Sequence, residues 1–407
     1  MKGIIKKYTG TSLIIRILIG LVLGAVLGLL CPGAEAIGIP GSIFIGALKA
    51  IAPILVALLV CSAIAKAGKG IGARFKTVIT LYMVTTFVAA IIAVFASKIF
   101  PVSIKLVAAA DGYSAPSGLK EIFEGLLVGM VQNPIKAVGE ANYLAILFWA
   151  IVLGIALKIL TSEKTITVIS ELADAASKMV AWVIEFAPFG ILGIMFTNVS
   201  TNGLAVFADY GKLILLLVGT MLFTSLIINP FIIFLLLKKN PYPLVFKCLK
   251  TSGIPAFFTR SSAANIPVNM KLCEELGLDR DFYSVSIPLG STINMDGAAV
   301  VITIMSLTAA NTLGIHVPLP LAIVLSIVSA LGACGTSGVA GGSLLLIPMS
   351  CALLGISQDI SMQVVAVGFI IGVIQDSVET ALNSSGDAIF TAVAEFYDRA
   401  KKEKAAK

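Results

Sequence analysis

Apolar runs close to the roughly twenty residues needed to cross a bilayer recur along most of the chain, separated by short polar connections. Full-length runs begin near residues 12, 41, 76, 141, 177 and 212, and again near 284 and 361. Their polar residues do not alternate with apolar ones as the strands of an outer-membrane barrel require, so the pattern predicts transmembrane helices. Two further runs are interrupted, residues 243–277 by TRSSAANIP and residues 318–356 by GACGTSGVAGGS. Each half is too short to span alone. The pattern predicts two re-entrant hairpins, with a glycine-kinked helix as the competing arrangement. Irregular backbone at membrane depth is tolerated only where protein or a cavity surrounds it. Paired interrupted segments of this kind point to a transporter's binding site.

Composition agrees. The 407 residues are 58% hydrophobic and only 13% charged, too little polar surface for a soluble chain of this size. The net charge of +7 does not indicate nucleic acid, because the basic residues sit between apolar runs and form no face interleaved with aromatics. Their distribution sets an orientation instead. Lys2, Lys6 and Lys7, the stretch AKAGKGIGARFK (65–76), KKNPYPLVFKCLK (238–250) and the tail DRAKKEKAAK are basic, whereas residues 31–41, 201–211 and 311–320 carry no Lys or Arg. The positive-inside rule then puts both termini in the cytoplasm. The same map opens the first hairpin inside and the second outside, as an inverted pair requires. The run from Ser12 to about Leu30 follows a basic stretch but lacks a clear cleavage site, so it reads as the first membrane helix and not as a secretory signal. Six cysteines lie scattered in apolar stretches without the spacing of a zinc site, and core packing is expected of them. His316 lies in a polar connection and reads as a loop residue.

The chemistry is concentrated late in the chain. From Asp281 to Asp398 there is no Lys or Arg, yet Asp296, Asp376, Glu379 and Asp387 lie in or beside membrane segments. An unpaired acid there costs about 2.5–3.5 kcal/mol on insertion scales. The available partners are protons, Arg260 of the first hairpin tip, and cations from solution. In QDSVETALNSSGD (375–387), Asp376, Thr380, Asn383 and Asp387 fall within a helical stripe roughly 60° wide, with Glu379 at its edge. A stripe of several acids suits a cation or substrate site better than structural hydrogen bonding. GSTINMDGAAV (290–300) puts Asn294, Asp296 and Gly297 together in an apolar helix, which predicts an unwound turn with free carbonyls. Carboxylates, amide oxygens, hydroxyls and carbonyls are hard ligands suited to alkali ions. Proton coupling needs only one titrating carboxylate, so a set rich in neutral oxygens leans toward sodium. Ser261, Ser262 and the glycines at 338, 341 and 342 offer backbone N–H groups at half-helix starts, which favour an anion. Acids for an ammonium and helix ends for a carboxylate suit a zwitterionic amino acid.

TRSSAANIP, NMDG, GTSGVAGG and the D-x-x-x-T-x-x-N-x-x-x-D array of the last helix, in this order, resemble the dicarboxylate/amino acid:cation symporter family, the family of the glutamate transporters. The likeness covers essentially the whole chain, and is closest to the bacterial sodium/serine-threonine branch. It implies an all-α inner-membrane protein of eight transmembrane helices plus two re-entrant hairpins, arranged as an inverted-repeat elevator and assembled with lipid as a homotrimer. The implied scaffold covers about 12–65 and 141–200, and the transport domain about 76–97 and 212–397. The resemblance also implies roles. Asp376 holds the substrate's amino group, Asn383 its carboxylate, with Thr380, Ser261, Ser262, Val339 and Gly341 around them. One sodium falls to Gly290, Asn294, Asn383 and Asp387, and a second to Thr292 and the backbone near Ala333, Cys334 and Thr336. A third falls to Tyr82, Thr85 and Thr86 with Asn294 and Asp296. No organic cofactor is implied.

Two departures bear on selectivity. Acid-transporting relatives have arginine at the position of Glu379 and threonine at that of Ala298, and both hold a side-chain carboxylate. Here an acid and a methyl replace them, so a second substrate carboxylate meets repulsion. Arg260 is expected to pair with Glu379 and so be withheld from substrate. Ala340 also replaces a proline common in relatives. The expected function is sodium-coupled import of small neutral amino acids, foremost serine and threonine. A proton-coupled or acid-transporting symporter of the same fold is the alternative, with an ion channel a more distant one. An intramembrane aspartyl protease does not fit, since residues 384–387 read Ser-Ser-Gly-Asp where G-x-G-D is required. The protein is therefore expected not to be an enzyme.

Overall fold

The computed structural model describes residues 10–66, 73–106, 128–160, 162–334, 336 and 341–405. Val339, Ala340 and Gly338 lie outside that set, as does much of the basic stretch 65–76. Among the described residues the ordered elements are all helical. Seven helical stretches are long and apolar enough to cross a membrane.

The first six long helices are α1 (Leu13–Leu30), α2 (Ile39–Lys66), α3 (Ala73–Ile99), α4 (Tyr143–Leu160), α5 (Glu163–Glu185) and α6 (Ala187–Asn202). Helices α1, α2, α4, α5 and α6 pack mainly on one another. Gly20, Gly24 and Gly28 of α1 face the backbone of Pro188, Leu192 and Phe196 of α6, so closely that a Cβ would collide at each. Small residues at one-turn spacing let membrane helices approach to backbone contact, where packing replaces the missing hydrophobic drive. The opposite face of α1 exposes Leu18, Ile19, Val22, Leu23, Val26 and Leu30, a surface suited to lipid.

The run expected to begin near 177 divides differently. Residue 177 lies inside α5, and the helix ends at Glu185, with Pro188 in the first turn of α6. Proline has no N–H to give to the preceding turn and its ring clashes there. Helix α5 is amphipathic, burying Ile166, Ala173 and Val180 while Glu163, Lys164, Glu171, Asp174 and Lys178 are exposed. Its charged face hid it from a search for continuous apolar runs.

The remainder surrounds one long helix. Helix α7 (Val206–Phe223) continues through a π-helical turn, Thr224–Ile228, into α8 (Asn229–Leu237). The first interrupted run folds as a helical hairpin. One arm is α9 (Tyr242–Cys248), a π-helical turn Leu249–Gly253 and α10 (Ile254–Thr259), and the other is α11 (Ile266–Glu275). Helices α12 (Arg280–Ile293) and α13 (Asp296–Thr312) follow, end to end. The second interrupted run has α14 (Leu319–Ala333) as one arm. A 3₁₀ turn Ser343–Leu346 and α15 (Ile347–Leu353) make the other. Ser329 and Ser350 hydroxyls meet across these arms at 3.3 Å. Helix α16 (Gln358–Ala405), 48 residues long, packs against both hairpins and α12–α13. Five of the six cysteines are buried, and His316 is exposed between α13 and α14.

Candidate functional site

The site forms where α12 gives way to α13. Asn294 (φ −93°, ψ 85°) and Met295 (φ −126°, ψ 50°) leave the helical region, so the predicted unwinding at NMDG is present. The freed groups are taken up by α16. Gly297 N donates to Asn383 Oδ1 at 2.8 Å, and Asn294 Nδ2 donates to Asn383 O at 3.1 Å and Asp387 Oδ1 at 3.0 Å. A Cβ at Gly290 would lie 2.8 Å from Tyr82 Oη and 2.9 Å from Asp387 Oδ1. Only glycine lets α12, α3 and α16 meet there.

All the acids of this region are buried, with Asp296 7%, Asp376 5%, Glu379 5% and Asp387 1% exposed. Asp296 is fully partnered, since Thr86 Oγ1 donates to Oδ1 at 3.1 Å and Asn229 Nδ2 to Oδ2 at 2.8 Å. Asp387 is not. Asn294 serves one oxygen, while Asp387 Oδ2 and Asn294 Oδ1 are buried without a hydrogen-bond partner. Orphaned hard oxygens on two side chains that are hydrogen-bonded to each other are what a small cation would satisfy. Tyr82 Oη lies 3.0 Å from Thr391 Oγ1 and 3.2 Å from Asp387 O, against the same carboxylate's backbone. Thr85 turns back to the Leu81 carbonyl at 2.9 Å.

The hairpin tips close on the first turn of the acidic stretch. Gly341 N donates to Asp376 Oδ1 at 3.2 Å. Arg260 caps α10 in the left-handed region (φ 51°), a conformation costing about 1–3 kcal/mol outside glycine. From there its Nη1 lies 3.5 Å from Asp376 Oδ2. This corrects one expectation, because Arg260 pairs with Asp376 and not with Glu379. Glu379 Oε2 instead accepts from Ser343 Oγ at 2.8 Å and Gln375 Nε2 at 2.5 Å. Neutral donors on α16 and the second hairpin serve one of its oxygens, and the guanidinium goes to the other acid. Ser262 is buried, and Ser261 Oγ accepts from Ala264 N at 3.2 Å, shaping the tip turn. Thr380 donates to the Asp376 carbonyl at 2.8 Å and Ala298 is fully buried.

The remaining predicted ligands gather at the last turn of α12, directly before the break. Cys334 Sγ lies 3.5 Å from Ile293 O, and Thr336 Oγ1 donates to Ala333 O at 2.9 Å. Thr292 donates to Leu289 O at 2.8 Å. Thr292 and Cys334 share a cavity of about 250 Å³ with Ser62, Lys66, Ser170 and Asp174.

Several partners escaped sequence reasoning. Asn229, which completes Asp296, stands in the apolar run SLIINPF, where an Asn-Pro pair reads as a kink. Asn265 and Asn269 tie the first hairpin to Ser384 of α16, at 2.8 Å and 3.2 Å between side chains. An unexplained polar residue in an apolar run was the signal available in each case. Gln375 and Ser343 sat inside quoted motifs without a role.

Comparison with known proteins converges on the same segments. Residues 13–396 match the model of the sodium:dicarboxylate symporter family. A serine/threonine transporter SstT of Bifidobacterium adolescentis is 58% identical over 98% of this chain and 92% of its own length. The serine/threonine transporter SstT of Streptococcus agalactiae is 57% identical over 97% of this chain and 98% of its own. With the broken helix, the two hairpins and the buried acids between them inside the matched region, the chain belongs to the sodium:dicarboxylate symporter family.

Proposed function

We propose that this protein is a sodium-coupled symporter that imports serine and threonine. One observation carries the reading. Asp376 and Asp387, three helical turns apart on α16, each bury an oxygen without a hydrogen bond, Oδ2 in both cases. The first lies 3.5 Å from Arg260 Nη1 of the first hairpin tip, an ion pair longer than a hydrogen bond, and a substrate ammonium would compete for it. The second belongs to a carboxylate hydrogen-bonded to Asn294, whose own Oδ1 is also without a partner, and suits sodium. The names of the 57–58% identical relatives support serine and threonine as cargo.

In this reading sodium enters at Asn294 and Asp387, neutralises a buried charge, and stiffens the unwound turn that Asn383 also grips. Asn383 then links the two sites through its bond to Gly297. Cation and substrate raise each other's affinity by linkage. A further sodium is assigned to Thr292 and the backbone near Ala333, Cys334 and Thr336, and another to Tyr82, Thr85 and Thr86 with Asn294 and Asp296. Gly341 is assigned to the substrate side. Glu379 and Ala298 exclude a substrate with a second carboxylate by repulsion. The hairpins are re-entrant, the chain is a homotrimer in the bacterial inner membrane, and both termini are cytoplasmic. Alternating access follows an elevator motion of residues 76–97 and 212–397 against a scaffold of 12–65 and 141–200.

The test is labelled L-serine uptake into proteoliposomes under separately imposed sodium and proton gradients. Uptake that follows sodium and is inhibited by threonine is expected. Uptake that follows the proton gradient alone would remove sodium from the account.

A further inference from the structure

A cavity of about 830 Å³ lies away from the acids, between α3 and α7. Phe95, Ala96 and Ile99 of α3 form one wall, and Leu215, Gly219 and Phe223 of α7 the other. Phe95, Ile99, Leu215 and Phe223 are exposed, and a Cβ on Gly219 would meet no atom within 4 Å. The two helices leave an open apolar slot between them. A slot of this size and lining is suited to an apolar ligand.

One end of the slot is built from fixed backbone. The chain leaving α3 borders it at Phe100, Pro101 and Val102. That segment is tied to the end of α13, where Asn311 Nδ2 donates to Val102 O at 3.4 Å and Ile104 N donates to Thr312 Oγ1 at 3.0 Å. Among the described lining residues the charged one is Lys212, near the start of α7. Its ammonium lies 3.6 Å from Asp209 Oδ1. An exposed pair of that length contributes little and yields readily to a stronger anion. From Lys212 to Phe223 the helix rises about 16 Å, close to one leaflet of a hydrocarbon core roughly 30 Å thick. A cation at one end and apolar walls for one leaflet's depth match the outline of a single lipid.

We propose that this slot binds an anionic glycerophospholipid, with one acyl chain between α3 and α7 and the phosphate on Lys212. A lysine stem lies along apolar surface while its ammonium stays at the headgroup level, where it attracts anionic lipid. The position gives the lipid a structural effect. Helix α3 carries Thr86, and α7 leads through the π-helical turn to Asn229, the two donors on Asp296. An acyl chain in the slot completes the packing between the helices that hold that acid. The proposal does not depend on which amino acid or cation the protein moves.

The experiment follows the melting temperature of the purified protein in mild detergent as dioleoylphosphatidylglycerol or dioleoylphosphatidylcholine is added. Both have chains that fit the slot, so both should raise the melting temperature, by about 2 °C or more. Phosphatidylglycerol should do so at about fivefold lower half-maximal concentration, the worth of one lysine beside an anionic headgroup. Lys212→Gln should erase that fivefold difference and keep the rise. Gly219→Leu fills the slot from α7. It should cut the rise to less than about half for both lipids and, without lipid, melt no lower than the wild type. Ala96→Leu fills the slot from α3 and gives the same reading if Gly219→Leu does not fold. A rise unchanged in the filled variants overturns the inference, as does equal half-saturation by the two lipids in the wild type. No response to either lipid, the result expected if a protein segment covers the slot, overturns it as well.

Discussion

A buried carboxylate needs a cation or enough donors to offset its lost hydration, and the four acids near the broken helix meet that need differently. Asp296 has neutral donors on both oxygens, Glu379 has two on one oxygen, Asp376 has a peptide N–H and Arg260, and Asp387 has one donor and one bare oxygen. The difference predicts a division of labour. Asp387→Asn should raise the sodium needed for half-maximal uptake by more than about tenfold, a charge-assisted contact being worth at least that. Asp376→Asn should abolish serine binding while sodium binding persists. Equal loss of both ligands in both variants, read by calorimetry, would remove the division. Arg260 and a substrate ammonium compete for one oxygen of Asp376. Arg260→Ala leaves that carboxylate buried and unpaired, which costs about 3–5 kcal/mol. Serine should therefore raise the melting temperature more in this variant than in the wild type. These pairings were only partly legible in the sequence. The stripe from Asp376 to Asp387 could be read from helical spacing, but the choice of Arg260 between two acids one turn apart depends on where the hairpin tip stands.

At the scale of elements, glycines decide what can touch. Gly290→Ala places a methyl against Tyr82 Oη and Asp387 Oδ1, so it should weaken sodium affinity while leaving expression and helix content near wild type. Gly24→Leu strikes the α1–α6 seam instead, and should lower thermal stability without changing sodium affinity in the fraction that stays folded. Beyond the membrane segments, Asp279 caps α12, accepting from Asp281 N at 3.0 Å and pairing with Arg74 at 2.8 Å. The Arg74 hydrogen bond, first among the causes, and the bond from the Asp281 N–H hold its carboxyl below the ordinary aspartate range. A depressed folded value means that the cap's contribution is fully present above the unfolded value and is lost as pH falls through the folded one. Melting temperature should therefore fall in acid below the usual aspartate range, and Asp279→Asn should flatten that part of the profile. The break at NMDG was legible because asparagine and glycine weaken a helix at a point where nothing else does. The boundary at Phe186 was not, because α5 mixes charges with its buried face and so gives no continuous apolar run.

Across the whole molecule, the alternation of long and interrupted apolar runs foretold the plan, with plain helices first and the two hairpins closing around α16 later. What it could not supply were the partners that come from far along the chain. Asn229 reaches Asp296 from 67 residues away, and Asn269 reaches Ser384 across 115. No local pattern encodes such meetings. The central claim is that the acids on α16 couple sodium to a neutral amino acid, and labelled L-serine uptake into proteoliposomes tests it most directly. With an inward sodium gradient and no proton gradient, the account predicts concentrative uptake that threonine inhibits and aspartate does not. Uptake that ignores sodium, or that aspartate inhibits as well as threonine does, would contradict it.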